Sequence, residues 1–237
     1  MFITLLKKEL VCFFTVPTGY IVIISYWAAT GFFFSFNTLF VTALDMVSAF
    51  HNMSILLLLV APIITMRSFP EEYKSGTYEL LIASGISVSN LLSVKFIFLL
   101  IILLMMIFGS VSSVAVLAIV SEPDLGPIVG GLLGVFFLGS TFMALGLAIS
   151  TLTDSQIIAA MLTWVLLLFL WFIDYLILLF PGQTVASIFE FMSFSNRYLD
   201  LIRGVLDLGA ILYFLGLIFL SFFIAQSVLV FKKESGN

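Results

Sequence analysis

The sequence has very few charged residues. Asp, Glu, Lys and Arg make up 9% of its 237 residues, whereas they make up about 25% of a typical soluble domain. Apolar residues account for 62% of the chain, and its mean hydropathy is +1.29. This composition argues against a soluble domain and is typical of an integral membrane protein. The lack of a basic stripe argues against nucleic acid as a partner.

The chain also lacks the residues that most catalytic and metal sites require. It has one cysteine, Cys12, and one histidine, His51. A metal site needs several convergent ligands, and no Cys or His cluster, metalloprotease motif or serine-hydrolase motif occurs. The glycine-rich run at 126–134 lacks the Gly-Lys-Ser/Thr ending of a phosphate-binding loop. We therefore expect no enzyme activity in this chain, no metal and no cofactor bound by it.

Long apolar runs are what the sequence does contain. A helix needs about 20 mostly apolar residues to cross the hydrocarbon core of a bilayer. Six stretches meet this requirement: 18–42, 50–68, 94–120, 127–151, 156–180 and 208–231. The sequence therefore predicts an all-α membrane protein, with six transmembrane helices in a single domain over residues 1–237.

The positions of lysine and arginine predict the orientation of the chain, because basic residues in short flanking segments favour the cytoplasm. With six spans, seven of the nine basic residues would lie on one side of the membrane. These seven are Lys7, Lys8, Arg67, Lys74, Lys95, Lys232 and Lys233. We therefore expect both termini, and the connector between the second and third spans, to be cytoplasmic.

Two apolar segments are predicted to form helices that do not cross the membrane. In residues 1–16, apolar side chains share one helical face while Thr4, Lys7 and Lys8 share the other, which is typical of a helix lying in the membrane interface. The outer segment at 181–207 begins with Pro-Gly and is largely apolar. Backbone at membrane depth must be shielded, so we expect this segment to be re-entrant, with short helices that dip back between the spans.

Asp174 is the one candidate for a charge inside a predicted span. Charges within the membrane are costly and often mark a substrate or ion pathway. Two interpretations stay open: Asp174 lies on a transport path, or it pairs with Arg197 or Arg203 of the outer segment. A proton-driven carrier normally needs more such groups, so we expect the energy source to lie outside this chain.

Small residues in the predicted spans indicate close helix packing. Glycines spaced four residues apart let two helix backbones approach each other, within one chain or across a dimer. The candidates for such packing are Gly130, Gly134 and Gly146.

The connector at 69–86 carries the densest charge in the chain. The sequence from Ser68 to Glu71 fits a capping box with proline in the first turn, so a helix is predicted to start there. Ser75-Gly76 should break this helix, and TYELLIA at 77–83 should form a second one. The chain is then predicted to restart at Ser87 or Ser89 into the third span. Two interpretations fit: a solvated loop, and a stiff surface element that docks a partner.

The connector sequence resembles a family motif. The run MRSFPEEYKSGTYELL at 66–81, followed by SGIS at 84–87, resembles the R-x-x-x-E-E-x-x-x-G-T-x-E-L-L…S-P-[VI]-[ST] run of type-2 ABC transporter permeases. RGVLD at 203–207 and LYF at 212–214 resemble the ending of a subgroup that includes the permeases of gliding-motility and copper-enzyme-maturation systems. Gly85 replaces the family's usual proline, and Asn196 stands near the subgroup's usual histidine.

The resemblance implies a permease subunit of an ATP-driven ABC exporter in the inner membrane of a bacterium. The connector would be the coupling helix, which sits in a groove of a separate ATPase subunit. The assembly would contain two permease copies and two ATPases that bind ATP and Mg, with room for an additional membrane or periplasmic subunit. The positions assigned to ATPase docking are Arg67, Glu71, Glu72, Lys74, Gly76, Thr77 and Glu79. The alternative is a membrane subunit of an ATP-driven mechanical or assembly complex that transports nothing.

Overall fold

The computed structural model describes residues 2–40, 46–120, 125–179, 193–205 and 207–235, and all regular secondary structure in these ranges is helical. The helices are α1 (Phe2–Thr15), α2 (Pro17–Phe40), α3 (Met46–Thr65), α4 (Pro70–Ser75), α5 (Thr77–Ala83), α6 (Val88–Phe108), α7 (Val111–Val120), α8 (Leu125–Ser150), α9 (Gln156–Leu179), α10 (Ser195–Ile202) and α11 (Leu208–Ser235).

Six segments of this fold are long and apolar enough to cross a membrane. They lie in α2, in α3 with α4, in α6 with α7, in α8, in α9 and in α11. The prediction of a multi-pass all-α membrane protein is therefore confirmed. The predicted restart at Ser87 or Ser89 into the third span is confirmed, since α6 begins at Val88. Ser87 Oγ accepts a hydrogen bond from the Asn90 amide at 3.3 Å and caps this helix. α3 begins at Met46, four residues before the predicted start of the second span.

The third span contains a break that the sequence analysis did not predict. α6 ends at Phe108 and α7 begins at Val111. The indole Nε1 of Trp27 donates to the carbonyls of Met105 and Met106, each at 3.1 Å. A side chain that bonds to helix carbonyls is one of the recognised causes of a helix kink. The break therefore lies where α2 presses its indole against the third span.

α8 is the central helix, because it packs against α3, α6, α9, α10 and α11. Small residues let these neighbours approach closely. A Cβ at Gly130 would lie 2.3 Å from the Leu201 carbonyl oxygen, and a Cβ at Gly146 would lie 2.3 Å from Thr65 Oγ1. A Cβ at Gly134 would lie 3.2 Å from Leu201 Cβ. All three glycines that were predicted to pack closely thus contact helices of their own chain.

Each of the two segments predicted not to cross the membrane contains a helix among the described residues. α1 lies against α2 and α6, with Leu6, Leu10 and Phe13 packed on the core and Lys7 and Lys8 exposed. Residues 181–192 and 206 of the predicted re-entrant segment lie outside the described residues. Its remainder contains α10, which packs against α8, α3 and α11.

Candidate functional site: the charged connector

The connector forms two short helices joined by a glycine. α4 begins at Pro70, and Phe69 occupies its N-cap position without a side-chain hydrogen bond. The predicted capping box at Ser68 is therefore wrong; the Ser68 carbonyl instead accepts a hydrogen bond from Lys95 Nζ at 2.6 Å. Gly76 ends α4 with a φ of 68° and directly precedes α5. This left-handed conformation favours glycine, as the sequence predicted for the break between the two helices.

Gly85 closes the connector in a second left-handed turn. Its φ is 82°, and its amide donates to the Ile82 carbonyl at 3.1 Å. Proline fixes φ near −65° and has no amide hydrogen, so the proline usual in the resembled family could not adopt this turn. Ser87 then caps the start of α6 two residues after Gly85.

Four charged side chains meet at the base of α4. Lys95 of α6 is 2% exposed, and its Nζ lies 3.0 Å from Glu72 Oε1 and 3.2 Å from Glu9 Oε1. Lys8 Nζ lies 3.6 Å from the same Glu72 oxygen. We call Lys8, Glu9, Glu72 and Lys95 the buried ion cluster after its two buried members, Glu72 and Lys95; Glu9 is half-buried and Lys8 is exposed. Because removing one partner of a buried pair leaves an uncompensated charge, the cluster fixes α4 to α1 and α6.

Two tyrosines bond the connector to the other side of the bundle. Tyr73 of α4 donates its hydroxyl to the carbonyl of Thr151, which directly follows α8, at 3.3 Å. Tyr78 of α5 donates to the carbonyl of Leu229 in α11, also at 3.3 Å. The two rings meet edge to face, with centroids 5.1 Å apart. The connector is thereby linked to the ends of α8 and α11.

Electrostatic surroundings keep the Tyr78 hydroxyl protonated. Burial, and secondarily the nearby charge of Glu72, raise the pKa of Tyr78.

Lys232 at the end of α11 contacts the other connector tyrosine. Its Nζ lies 3.9 Å from the Tyr73 ring centroid and 3.1 Å from Asp154 Oδ1. A cation over an aromatic face adds a modest attraction, so the end of α11 contacts both connector helices.

Arg67 provides the link to α2. Its Nη1 donates to Thr18 Oγ1 at 3.3 Å, and its side chain is otherwise exposed. Together with the buried ion cluster and the two tyrosines, this contact bonds residues 67–78 to α1, α2 and α6, to the end of α8 and to α11.

The outward surface of the connector is charged. Of the positions predicted to dock a partner, Arg67, Glu71, Lys74 and Glu79 are exposed, while Gly76 and Thr77 are half-buried. Glu72 differs from the others: its side chain is 8% exposed and lies against Lys95. Glu72 thus has an internal ion-pair contact in this chain, and its docking role stays a prediction.

Leu80 is an outward-facing residue that sequence reasoning missed. Its exposed fraction is 69%, next to the exposed Glu79, whereas Tyr78 is buried. The helical period of TYELLIA carries the signal, because Tyr78, Leu81 and Ile82 share the packed face and leave Leu80 on the other.

The other predicted candidates are not brought together with the connector. The side chain of Asp174 lies outside the described part of the structure, so its pairing with Arg197 or Arg203 stays a prediction. The Arg197 guanidinium carbon lies 4.3 Å from the Tyr213 ring centroid, and Arg203 is exposed. Within the described ranges, no three metal-ligating side chains converge.

Comparison of the chain with protein-family models and with curated proteins gives no match. The functional interpretation accordingly depends on the motifs in the sequence and on the contacts of the connector.

Proposed function

We propose that this chain is the membrane permease subunit of an ATP-driven ABC exporter in a bacterial inner membrane. Two copies would form the transport path and would be coupled to two separate ATPase subunits, which bind ATP and Mg. The observation that best supports the proposal is that one short, charged connector is bonded to α1, α2 and α6 and to the ends of α8 and α11. A force on the connector would reach the spans through these bonds.

The inward side of the connector suits the transmission of movement. Lys95 bonds to both Glu72 and the Ser68 carbonyl, so the beginning of α4 cannot shift relative to α6 without separating buried charges. Separating such a pair costs about 3–5 kcal/mol. Tyr73 and Tyr78 add hydrogen bonds to the ends of α8 and α11. The connector would therefore move together with the helix ends rather than independently of them.

The outward side of the connector suits docking. Glu71, Lys74 and Glu79 are exposed charges of both signs, and Leu80 is an exposed apolar residue between them and the end of α5. Interfacial charges determine specificity and association rate more than affinity, whereas a central apolar residue supplies much of the binding energy. We therefore assign recognition of the ATPase to the three charges and anchoring to Leu80.

Co-purification with an ATPase tests this proposal. The candidate partner is an ATPase encoded next to this chain, co-expressed with it and purified through a tag on the ATPase. We expect Glu79→Lys and Leu80→Asp each to reduce the recovered permease at least about tenfold, which corresponds to about 1.4 kcal/mol. Thermal unfolding of the permease alone should not change, because both residues are exposed.

Asp200→Lys is the matched control, since Asp200 is also exposed but lies in α10, far along the chain from the connector. The amount of this variant that co-purifies with the ATPase should equal that of the wild type. Undiminished recovery of both connector variants would reject the connector as the docking element.

A further inference from the structure

A cavity of about 440 Å³ separates the connector from the spans. Its wall comes from α1, α2, α4, α6 and the end of α3. One part of the wall is charged and includes Arg67 and Glu72, while another part is apolar and includes Ile21 of α2 and Ile63 of α3. The cavity is therefore amphipathic, with its polar part at the connector.

The Glu72 carboxylate is an incompletely satisfied acceptor in the wall of this cavity. Its side chain is 8% exposed, and neither of its oxygens accepts a hydrogen bond among the described residues. Lys95 and Lys8 pair with Oε1 at 3.0 and 3.6 Å, so the acceptor that is left without a hydrogen bond or a close cation among the described residues is Oε2. An unmet buried acceptor costs about 1–3 kcal/mol, and more when it is charged. The site therefore favours an occupant that donates N–H bonds to Glu72.

The charges around the cavity balance one another. Three acidic and three basic side chains line it: Glu9, Glu71, Glu72, Lys8, Arg67 and Lys95. A ligand with a net charge would upset this balance, whereas a zwitterion would not. Arg67 uses Nη1 for its hydrogen bond to Thr18, and a guanidinium has five N–H donors in total. Arg67 can therefore also bind a phosphate group.

The apolar part of the wall opens towards the lipid-facing surface. Ile21 is 59% exposed and Ile63 is 37% exposed, and both belong to helices that can cross the membrane. Each lies about one helical turn along its span from the polar residues Thr18 and Arg67. An acyl chain could thus lie along these side chains while its headgroup reaches the connector.

We propose that this cavity binds a phospholipid with a primary ammonium headgroup, phosphatidylethanolamine, from the leaflet on the connector side. The ammonium donates to Glu72, the phosphate accepts from Arg67, and an acyl chain contacts Ile21 and Ile63. Phosphatidylcholine has the same charges, but its quaternary ammonium has no N–H group to donate. Phosphatidylglycerol has no ammonium group. The inference requires a membrane-embedded chain and does not depend on coupling to an ATPase.

Labelling of Cys12 tests the inference in the unmodified protein. Cys12 is the chain's single cysteine, is exposed and lines the cavity. The full chain is reconstituted in bilayers of phosphatidylcholine alone, or with equal fractions of phosphatidylethanolamine or phosphatidylglycerol, and reacted with a small maleimide. We expect several-fold slower labelling with phosphatidylethanolamine than with the other two. Native mass spectrometry of protein extracted from the mixed bilayers should show retained phosphatidylethanolamine.

Three variants separate the site from general effects of the bilayer. Glu72→Gln and Arg67→Gln should each abolish the protection of Cys12, whereas Glu79→Gln should keep it, because Glu79 is exposed and does not line the cavity. In Cys12→Ser/Thr4→Cys, the new thiol lies on α1 outside the cavity, so its labelling should not depend on the headgroup. If Glu72→Gln does not fold, Arg67→Gln and the unmodified protein still decide the question.

Equal labelling rates in all three bilayers, or stronger protection by phosphatidylglycerol, would overturn the inference. Loss of ATPase docking would leave it intact, so the lipid site and the proposed function can fail separately.

Discussion

The two ends of the central helix α8 are held by different kinds of interaction. At its C-terminal end, the connector is fixed by the buried ion cluster and by the hydroxyl of Tyr73, which bonds to Thr151. At its N-terminal end, α10 lies so close that a Cβ on Gly130 would meet the Leu201 carbonyl at 2.3 Å. The connector thus carries an ion cluster beside a cavity, whereas α10 and α8 meet through close packing at a glycine.

A hydrogen-bond network also joins α10 to α3. Tyr198 of α10 is fully buried and donates to the Phe50 carbonyl at 2.7 Å, while Ser54 Oγ donates to the Tyr198 hydroxyl at 2.5 Å. Burial raises the pKa of Tyr198, so its hydroxyl stays protonated. Close packing permits few alternative arrangements, whereas an ion cluster beside a cavity can exchange partners.

Among the variants that compare the connector with α10, removal of the Lys95 charge should lower the free energy of unfolding most. Lys95→Met leaves Glu9 and Glu72 beside each other without their shared cation, so we expect about 3–5 kcal/mol of destabilisation. The measurement is the unfolding of the purified chain in detergent. Lys74→Met, at an exposed position of α4, is the matched control and should change the free energy of unfolding by less than about 0.5 kcal/mol.

The double variant Lys95→Met/Glu72→Leu sharpens this prediction. Replacement of a buried ion pair by apolar residues is often nearly neutral, so the double variant should recover part of the stability lost by Lys95→Met. If Lys95→Met unfolds like the wild type, the buried ion cluster does not hold the connector.

A methyl group added at Gly130, where α8 meets α10, should lower the free energy of unfolding by an intermediate amount. Gly130→Ala would push α10 away from α8, and we expect a loss of about 1–3 kcal/mol, as for other overpacked sites. Gly31→Ala is the matched control: it also changes a glycine within a transmembrane helix, but nothing lies within 4 Å of its new Cβ. This control should leave stability unchanged or raise it by up to about 1 kcal/mol. Equal effects of the two variants would contradict the close packing of α10.

Loss of a single hydroxyl should have the smallest effect. Tyr198→Phe removes the bond to the Phe50 carbonyl, and we expect a loss of about 1 kcal/mol. The loss stays small because Ser54 Oγ lies 3.0 Å from that carbonyl and can donate its single hydrogen to it once the Tyr198 hydroxyl is gone. Tyr78→Phe at the connector should cost less, about 0.5 kcal/mol, since its bond is longer at 3.3 Å. The free energies of unfolding in detergent rank the two variants. A larger loss for Tyr78→Phe than for Tyr198→Phe would place the stronger hydroxyl hydrogen bond at the connector.

The sequence predicts the spans and the break of the connector well because both have local causes. Apolar runs of sufficient length specify transmembrane helices, and the glycine at position 76 specifies the end of α4. The capping box is absent because the Ser68 amide, from which Glu71 would accept, donates to the Thr65 carbonyl at 3.0 Å, and Phe69 occupies the N-cap position. The break of the third span at Gly109 was not predicted for a non-local reason, because the Trp27 indole that donates to the Met105 and Met106 carbonyls lies in another span.

Composition and local pattern by themselves determine that this chain is a helical membrane protein with a charged two-helix connector. They do not determine which connector carboxylate faces inward. Glu71 and Glu72 are adjacent and chemically alike, but consecutive helical residues point about 100° apart. Glu71 is exposed and Glu72 is buried, because the tertiary structure brings Lys95 to one side of α4, together with Glu9 from 86 residues away. A buried cation needs nearby anions, and only the packing of α1, α4 and α6 decides which carboxylates supply them.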